Sequence, residues 1–255
     1  MGRTFGRIAA IAVFLFTQAS IASAAEIKVF STVGVKSVLE EIIPNFEKAS
    51  GHKLNITWST AALLTKRVQD GEMADAMILI RGNVDTLLKD GKVAPGSDAT
   101  FGKSIFAVGI KAGAPKPDIS TPDAFKQALL ASKAVSFSDP ATGGASGVYT
   151  VKQFKRMGIA EQMKSKSKHP SSGGFAGTLL VNGEADLAIN SKPELLMVPG
   201  VEVVGPLPGD MAFTVVYAAG VGSGATQAGA AKALVNYLMS GEAQAVFKAK
   251  GYDPS

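Results

Sequence analysis

The 255 residues contain no cysteine, two histidines and one tryptophan. Without thiols there is no disulfide framework, no thiolate metal site and no cysteine nucleophile. His52 and His169 stand far apart in the chain, which argues against a histidine-built metal centre. No metal and no other cofactor is expected. Charge is also scarce, at 18% of residues. Apolar runs are short: Ile8 to Phe16 is too brief to span a bilayer, and no later stretch is long and apolar enough.

What is present begins with an export pattern. Arg3 and Arg7 precede that apolar run, and Ala22-Ser23-Ala24 follows it. This is the basic, apolar and small-residue order of a secretory signal, with cleavage expected near Ala24. The remaining residues, 25–255, carry a net charge of about +3, too little to predict a nucleic-acid partner. The mature chain is expected to be exported, soluble and monomeric.

Along residues 25–255, strand patterns alternate with helix patterns. "EIKVFSTVG" reads as a strand ending in a turn. In "VKSVLEEIIPNFEKASG", Val38, Leu39, Ile42, Ile43 and Phe46 share a helical face, and Gly51 is placed to end the helix. "HKLNITWS" and "ADAMILI" read as strands around the helix "TAALLTKRVQDGE". Later, "STPDAFKQALLASK" has Ser120 or Thr121 as a cap and Pro122 at the first helical position. "SIFAVGIKAG", "AVSFSDP", "GVEVVGPLP" and "MAFTVVYAAGV" read as strands, and the chain closes on two helices broken at Ser240-Gly241. The alternation predicts an α/β fold with mostly parallel sheets flanked by helices. It also predicts two domains joined by two crossovers: residues 25–105 with 217–255, and residues 106–216.

One stretch stands out. "SDPATGGASGVYTVKQF", from Ser138 to Phe154, sets six small residues where a helix begins. A helix N-terminus offers unpaired N–H groups and partial positive charge, so small residues there let an anion approach. The other reading is an ordinary strand-to-helix loop.

Several motifs resemble the periplasmic solute-binding proteins of ABC transporters, most closely the molybdate-binding type. They are "VFSTVGVKSVLEEIIPNFEKASGHKLNITWSTAALLTKRVQDGEMADAMI", "SDPATGGASGVY", "LVNGEADLAI" and "ALVNYLMSGEAQAVFKAKGYDPS". The resemblance implies a two-lobed clamshell with a small anionic ligand in its cleft, a periplasmic location and a membrane permease as partner. Molybdate binders hold the anion with backbone N–H groups, two serine hydroxyls and a tyrosine. The matching positions here are Gly34, Ala61 and Ser191, while Ser146 keeps the family's small residue.

These departures direct attention to neighbouring groups. Ser31, Thr32, Ser59, Thr60, Ser138, Thr142, Ser171, Ser172, Gly173 and Asn190 are the polar or small candidates for ligand contact. Arg81 and Lys192 each follow an apolar strand; in doubly wound sheets such strand ends line the crevice. An arginine there suits a carboxylate better than a compact tetrahedral oxyanion. Each has a plainer reading: simple N-caps for "STVG" and "WSTAA", an ion pair with Asp85 for Arg81, an exposed loop for His169, and core packing for Trp58 and Phe175. The expectation is capture of an organic polycarboxylate, ahead of molybdate, without catalysis. A related branch of the superfamily includes aconitate isomerase. On that alternative, His169, Lys192 or Asp139 would serve as the base of an allylic proton shift.

Overall fold

A computed structural model describes residues 24–171 and 174–254. The predicted export segment therefore lies outside the described residues, except Ala24, as do Ser172 and Gly173. The chain begins β1 (Glu26–Thr32), α1 (Lys36–Ser50), β2 (Lys53–Ser59), α2 (Ala61–Gln69), β3 (Ala76–Ile80) and α3 (Arg81–Lys89). β1 lies between β2 and β3, parallel to both. α1 buries Val38, Leu39, Ile42 and Phe46, the face the periodicity marks. It ends at Gly51, whose φ of 74° is open to glycine without a Cβ penalty and whose N–H returns to Glu47. α3 was not expected: its sequence, RGNVDTLLK, has a short apolar stripe, and only Val84 and Leu87 are buried.

The next strand joins the two halves of the molecule. β4 (Ala99–Lys111) starts earlier than "SIFAVGIKAG": its apolar pattern breaks at Gly102-Lys103, and its register shifts just before, between Thr100 and Gly102. Its first part, Ala99 to Ile105, pairs with β9 (Thr214–Val221). From Phe106 onward it pairs instead with β7 (Leu187–Ser191), and from Ala107 onward with β8 (Val201–Pro206) on its other edge. Between these come α4 (Pro122–Ala131), β5 (Val135–Ser136), α5 (Ala145–Arg156), α6 (Ala160–Lys164), β6 (Ser167–Lys168), α7 (Ala176–Val181) and α8 (Lys192–Leu196). α9 (Ala228–Leu238) and α10 (Gly241–Ala249) close the chain. The strand order is β2-β1-β3-β9-β4-β7-β5-β6, with β8 beside β4.

Both halves are α/β, as the alternation predicts, and together they form the two-lobed clamshell. The parallel pairs sit at the outer positions, β2-β1-β3 and β7-β5-β6. The long strands β4 and β9 run antiparallel to their neighbours. Two strands that carry the chain across and back must run in opposite directions, so the middle of the sheet cannot be parallel.

A buried carboxylate secures the return. Asp75, just before β3, accepts from the Lys28 N–H at 2.8 Å. Its other oxygen accepts from the Thr226 and Gln227 N–H groups at 2.7 and 3.0 Å and from the Thr226 hydroxyl. Burial raises its pKa, but these hydrogen bonds win and hold it below the ordinary aspartate value. Asp75 thus ties β1 and β3 to the start of α9.

Candidate functional site

The two halves meet around a cavity of about 60 Å³. One wall is the end of β1 and the starts of the following helices: Thr32, Val33, Gly34, Thr60, Ala61 and Ile80. The facing wall is the loop into α5, with Ser138 and Gly143 to Ser146. Asn190, Ser191 and Glu194 form one end, with Phe106, Val215 and Tyr217 beside them and Gly174 at the rim. Among the described residues, no lysine, arginine or histidine lines it.

The loop's small residues have specific causes. Gly143 has a φ of 72°, and a Cβ there would come within 2.5 Å of Ala62 Cβ on the facing wall. A Cβ on Gly144 would strike Ser138 Oγ, and one on Gly147 the Ser138 carbonyl oxygen. That closeness lets Ser138 and Ser146 join hydroxyl to hydroxyl at 2.8 Å, and Ser138 Oγ accept from Gly147 N–H at 3.0 Å. The Ser138 N–H donates to Ser146 Oγ at 3.2 Å. Gly144, the N-cap of α5, supplies no side-chain cap. The first N–H groups of a helix lack intrahelical partners, so this end faces the cavity with positive polarity.

The opposite helix start is capped. Thr60 Oγ1 accepts from Leu63 N–H at 3.3 Å and donates to the Thr142 carbonyl at 2.8 Å, bridging the two walls. Thr32 likewise accepts from Gly34 N–H. Ser31 is fully buried and donates to the Thr32 carbonyl at 3.3 Å; it does not line the cavity. Both capping threonines combine the plain role and a place on the cavity wall.

Two groups that the sequence reading passed over dominate the far end. Tyr217, on β9, puts its hydroxyl 3.0 Å from where a Cβ on Gly34 would lie, and Glu194 Oε1 would lie 3.4 Å from it. The space of a serine side chain at position 34 is thus already occupied. Burial first, then the Glu194 carboxyl, push the Tyr217 pKa well up; the nearby Ser104 and Ser191 hydroxyls pull weakly the other way. Neither hydroxyl makes a hydrogen bond of good geometry. Burial also lifts Glu194 to about 7, with a contact from Asn190 opposing it.

Sequence gives a different role for Glu194. Ser191-Lys192-Pro193-Glu194 matches a capping box, in which the glutamate reaches back to the cap N–H. Here Asn190 Oδ1 already accepts from the Ser191 N–H at 2.8 Å. No side-chain cap forms, and Glu194 turns to the cavity. Tyr217 lies in an apolar strand, where the default reading is core packing.

Other candidates lie outside this centre. Arg81 has its guanidinium on Asp85 at 2.5 Å and on Asp98 at 2.6 Å. It lines an adjoining side chamber of about 650 Å³ with Lys152 and Phe213, which shares Ala61, Ile80, Gly143, Ala145 and Val215 with the central cavity. Lys192 starts α8 with its Cε 3.9 Å from where a Cβ on Gly251 would lie, and it is not among the residues that line the cavity. Ser59, Asp139, Thr142, His169 and Ser171 line an outer chamber of about 440 Å³ with Trp58. Val33, Thr60, Ser138 and Gly174 line both this chamber and the central cavity. His169 Nδ1 is within 3.1 Å of the Phe137 carbonyl, and its ring stands edge-on to Phe137. Asp139 accepts from Ala141 N–H, capping the short turn Pro140–Thr142. Among the described residues, no group of three or more histidine, aspartate or glutamate side chains could hold a metal.

Comparison with known proteins places this architecture. The chain is 34% identical over 233 residues to an aconitate isomerase from a Pseudomonas species, covering 89% of this chain and 87% of that protein. It is 26% identical over 239 residues to the molybdate-binding protein ModA of Azotobacter vinelandii, covering 92% of each. The solved structure of the sulfate-binding protein SubI from Mycobacterium tuberculosis H37Rv superposes with a TM-score of 0.71 at 21% identity, over 90% of this chain and 87% of that one. The family model described as bacterial extracellular solute-binding protein matches residues 27–253. The chain belongs to the bacterial extracellular solute-binding proteins.

Proposed function

We propose that the central cavity is the ligand site and that this protein captures a small anion there for uptake by a membrane permease. The observation that carries the reading is the cavity's lining: hydroxyls, glycines and the start of α5, whose N-cap glycine offers no side chain, with no cation among the described residues. Such a lining holds an anion by oriented dipoles alone. The relatives named for molybdate and sulfate support it. An organic polycarboxylate is favoured over a tetrahedral oxyanion because the cavity shares lining residues with the larger hydroxyl-rich outer chamber. One carboxylate would sit at the α5 start and the others would extend past Thr60 and Ser138. The contact set comprises Thr32, Gly34, Thr60, Ala61, Ser138, Ser146, Asn190 and Ser191, with Ser59 and Thr142 in the outer chamber.

The same reading divides the mature chain into residues 25–105 with 217–255, and residues 106–216. The partner switch of β4 at Ile105–Phe106 supports that division. It also makes the protein a periplasmic monomer, cleaved near Ala24. Calorimetry of residues 25–255 against citrate, tricarballylate, both aconitates, molybdate and sulfate tests it. One ligand per chain is expected, and no binding by any of the six rejects the reading.

A second reading is isomerisation of aconitate, favoured by the 34% identical relative and by a carboxyl facing the cavity. A base would take a proton from the methylene beside one carboxylate. The double bond would shift by one carbon, and the proton would return to the former vinyl carbon. Ultraviolet absorbance of cis-aconitate mixed with the protein tests this, and no change above buffer rejects it.

A further inference from the structure

Glu194 has no evident structural purpose. Its helix uses no side-chain cap, it makes no ion pair among the described residues, and its part-buried side chain lines the cavity. An ionised carboxylate there would repel any anion and would have no cation to offset it. The titratable groups facing it are Tyr217 from β9 and Tyr252 from the C-terminal segment. Burial and the Glu194 carboxyl itself push both phenols upward, so neither titrates near neutrality. Asn190 from β7 and Gly34 ahead of α1, which lie beside Glu194, are neutral, as are Ser104 and Ser191 beside Tyr217.

We propose that Glu194 meets the bound anion as a carboxylic acid, donating its proton to a ligand oxygen, so that capturing a fully ionised anion takes up a proton. The proposal rests on the reading of this cavity as the anion site, and it names the group that sets which anions enter. Burial already holds this carboxyl up at about 7. A bound anion raises it further, because a like charge disfavours ionisation. The reverse must hold: above neutrality, every proton that Glu194 loses weakens binding. The acid form also supplies a donor where the cavity has hydroxyls but no cation, and a protonated ligand oxygen would gain less from it than a bare one. The ligand class is therefore a carboxylate or oxyanion that binds with its contacting oxygen unprotonated.

Calorimetry of residues 25–255 tests this with trans-aconitate, tricarballylate, molybdate and sulfate as probes, in two buffers of different ionisation enthalpy at about pH 8. Uptake of close to one proton per bound ligand is expected. Affinity should fall by up to about tenfold per pH unit above neutrality. Glu194→Gln keeps an N–H donor that does not titrate; it should show no proton uptake and a flat pH profile. Zero uptake by the unsubstituted protein, or the same slope in Glu194→Gln, overturns the proposal while leaving an anion site in place. Failure of all four probes to bind overturns the anion-site reading, and this proposal with it.

Discussion

At the level of single residues, side chains whose neighbours are close in sequence were legible, and those whose neighbours are distant were not. Thr121 caps α4 and Pro122 opens it, as their types and spacing dictate. Glu194 and Tyr217 escaped because each follows a local rule that the tertiary structure overrides. The glutamate fits a capping box until Asn190 takes the cap N–H, and the tyrosine fits a core strand until Gly34 opens space for its hydroxyl. Glu194 leaves a thermodynamic trace. Its folded-state pKa is raised, so its stabilising protonated form is fully present below the unfolded value and is lost as pH rises through about 7. Over that range the ligand-free protein should lose about 3 kcal/mol from this group. Urea unfolding at pH 5 and pH 8 should show the loss, and Glu194→Gln should largely abolish it. Arg81 also follows a buried strand, where ligand contact is expected, and its guanidinium pairs with Asp85 and Asp98 beside a chamber that adjoins the cavity. Arg81→Ala should change the affinity for any anion by less than about threefold, since a half-exposed ion-pair network contributes little. A loss of a hundredfold by calorimetry would put the guanidinium in the site.

Among the elements, the loop from Ser138 into α5 explains itself through its glycines. The sequence shows that small residues are needed there, and the structure shows two different needs. Gly147 and Gly144 let the loop fold against Ser138, within one wall. Gly143 lets that wall close on Ala62 of α2. The two should therefore fail differently. Gly147→Ala forces backbone apart and should cost about 1–3 kcal/mol of stability by chemical denaturation. Gly143→Ala strains a positive φ at about 1 kcal/mol but also blocks closure, so ligand affinity should fall at least about tenfold. Thermal unfolding beside calorimetry separates these outcomes. β4 is the element that pattern reading cut short. Gly102 and Lys103 interrupt its apolar run just after the register shift between Thr100 and Gly102, so only the half beyond them reads as a strand.

For the whole molecule, the alternating pattern disclosed the α/β class, but it could not show that β4 and β9 bind the halves through antiparallel pairs. Strand partners far apart in sequence leave no periodic signal. Asp75 fixes the return by satisfying N–H groups at Lys28, Thr226 and Gln227. Asp75→Ala would orphan all three and should lower stability by on the order of 3 kcal/mol or more. Asp75 is held below the ordinary aspartate range, so its stabilisation is present at neutral pH and lost as pH falls through its folded pKa. In the proposed site the closed halves hold one anion between the α5 start and the facing threonines. Calorimetric titration of residues 25–255 with the polycarboxylate and oxyanion panel, repeated on Ser146→Ala, tests this. One ligand per chain is expected, with at least about tenfold weaker binding in the variant, from loss of a hydroxyl contact to a charged ligand. Binding of equal strength in both proteins would contradict it.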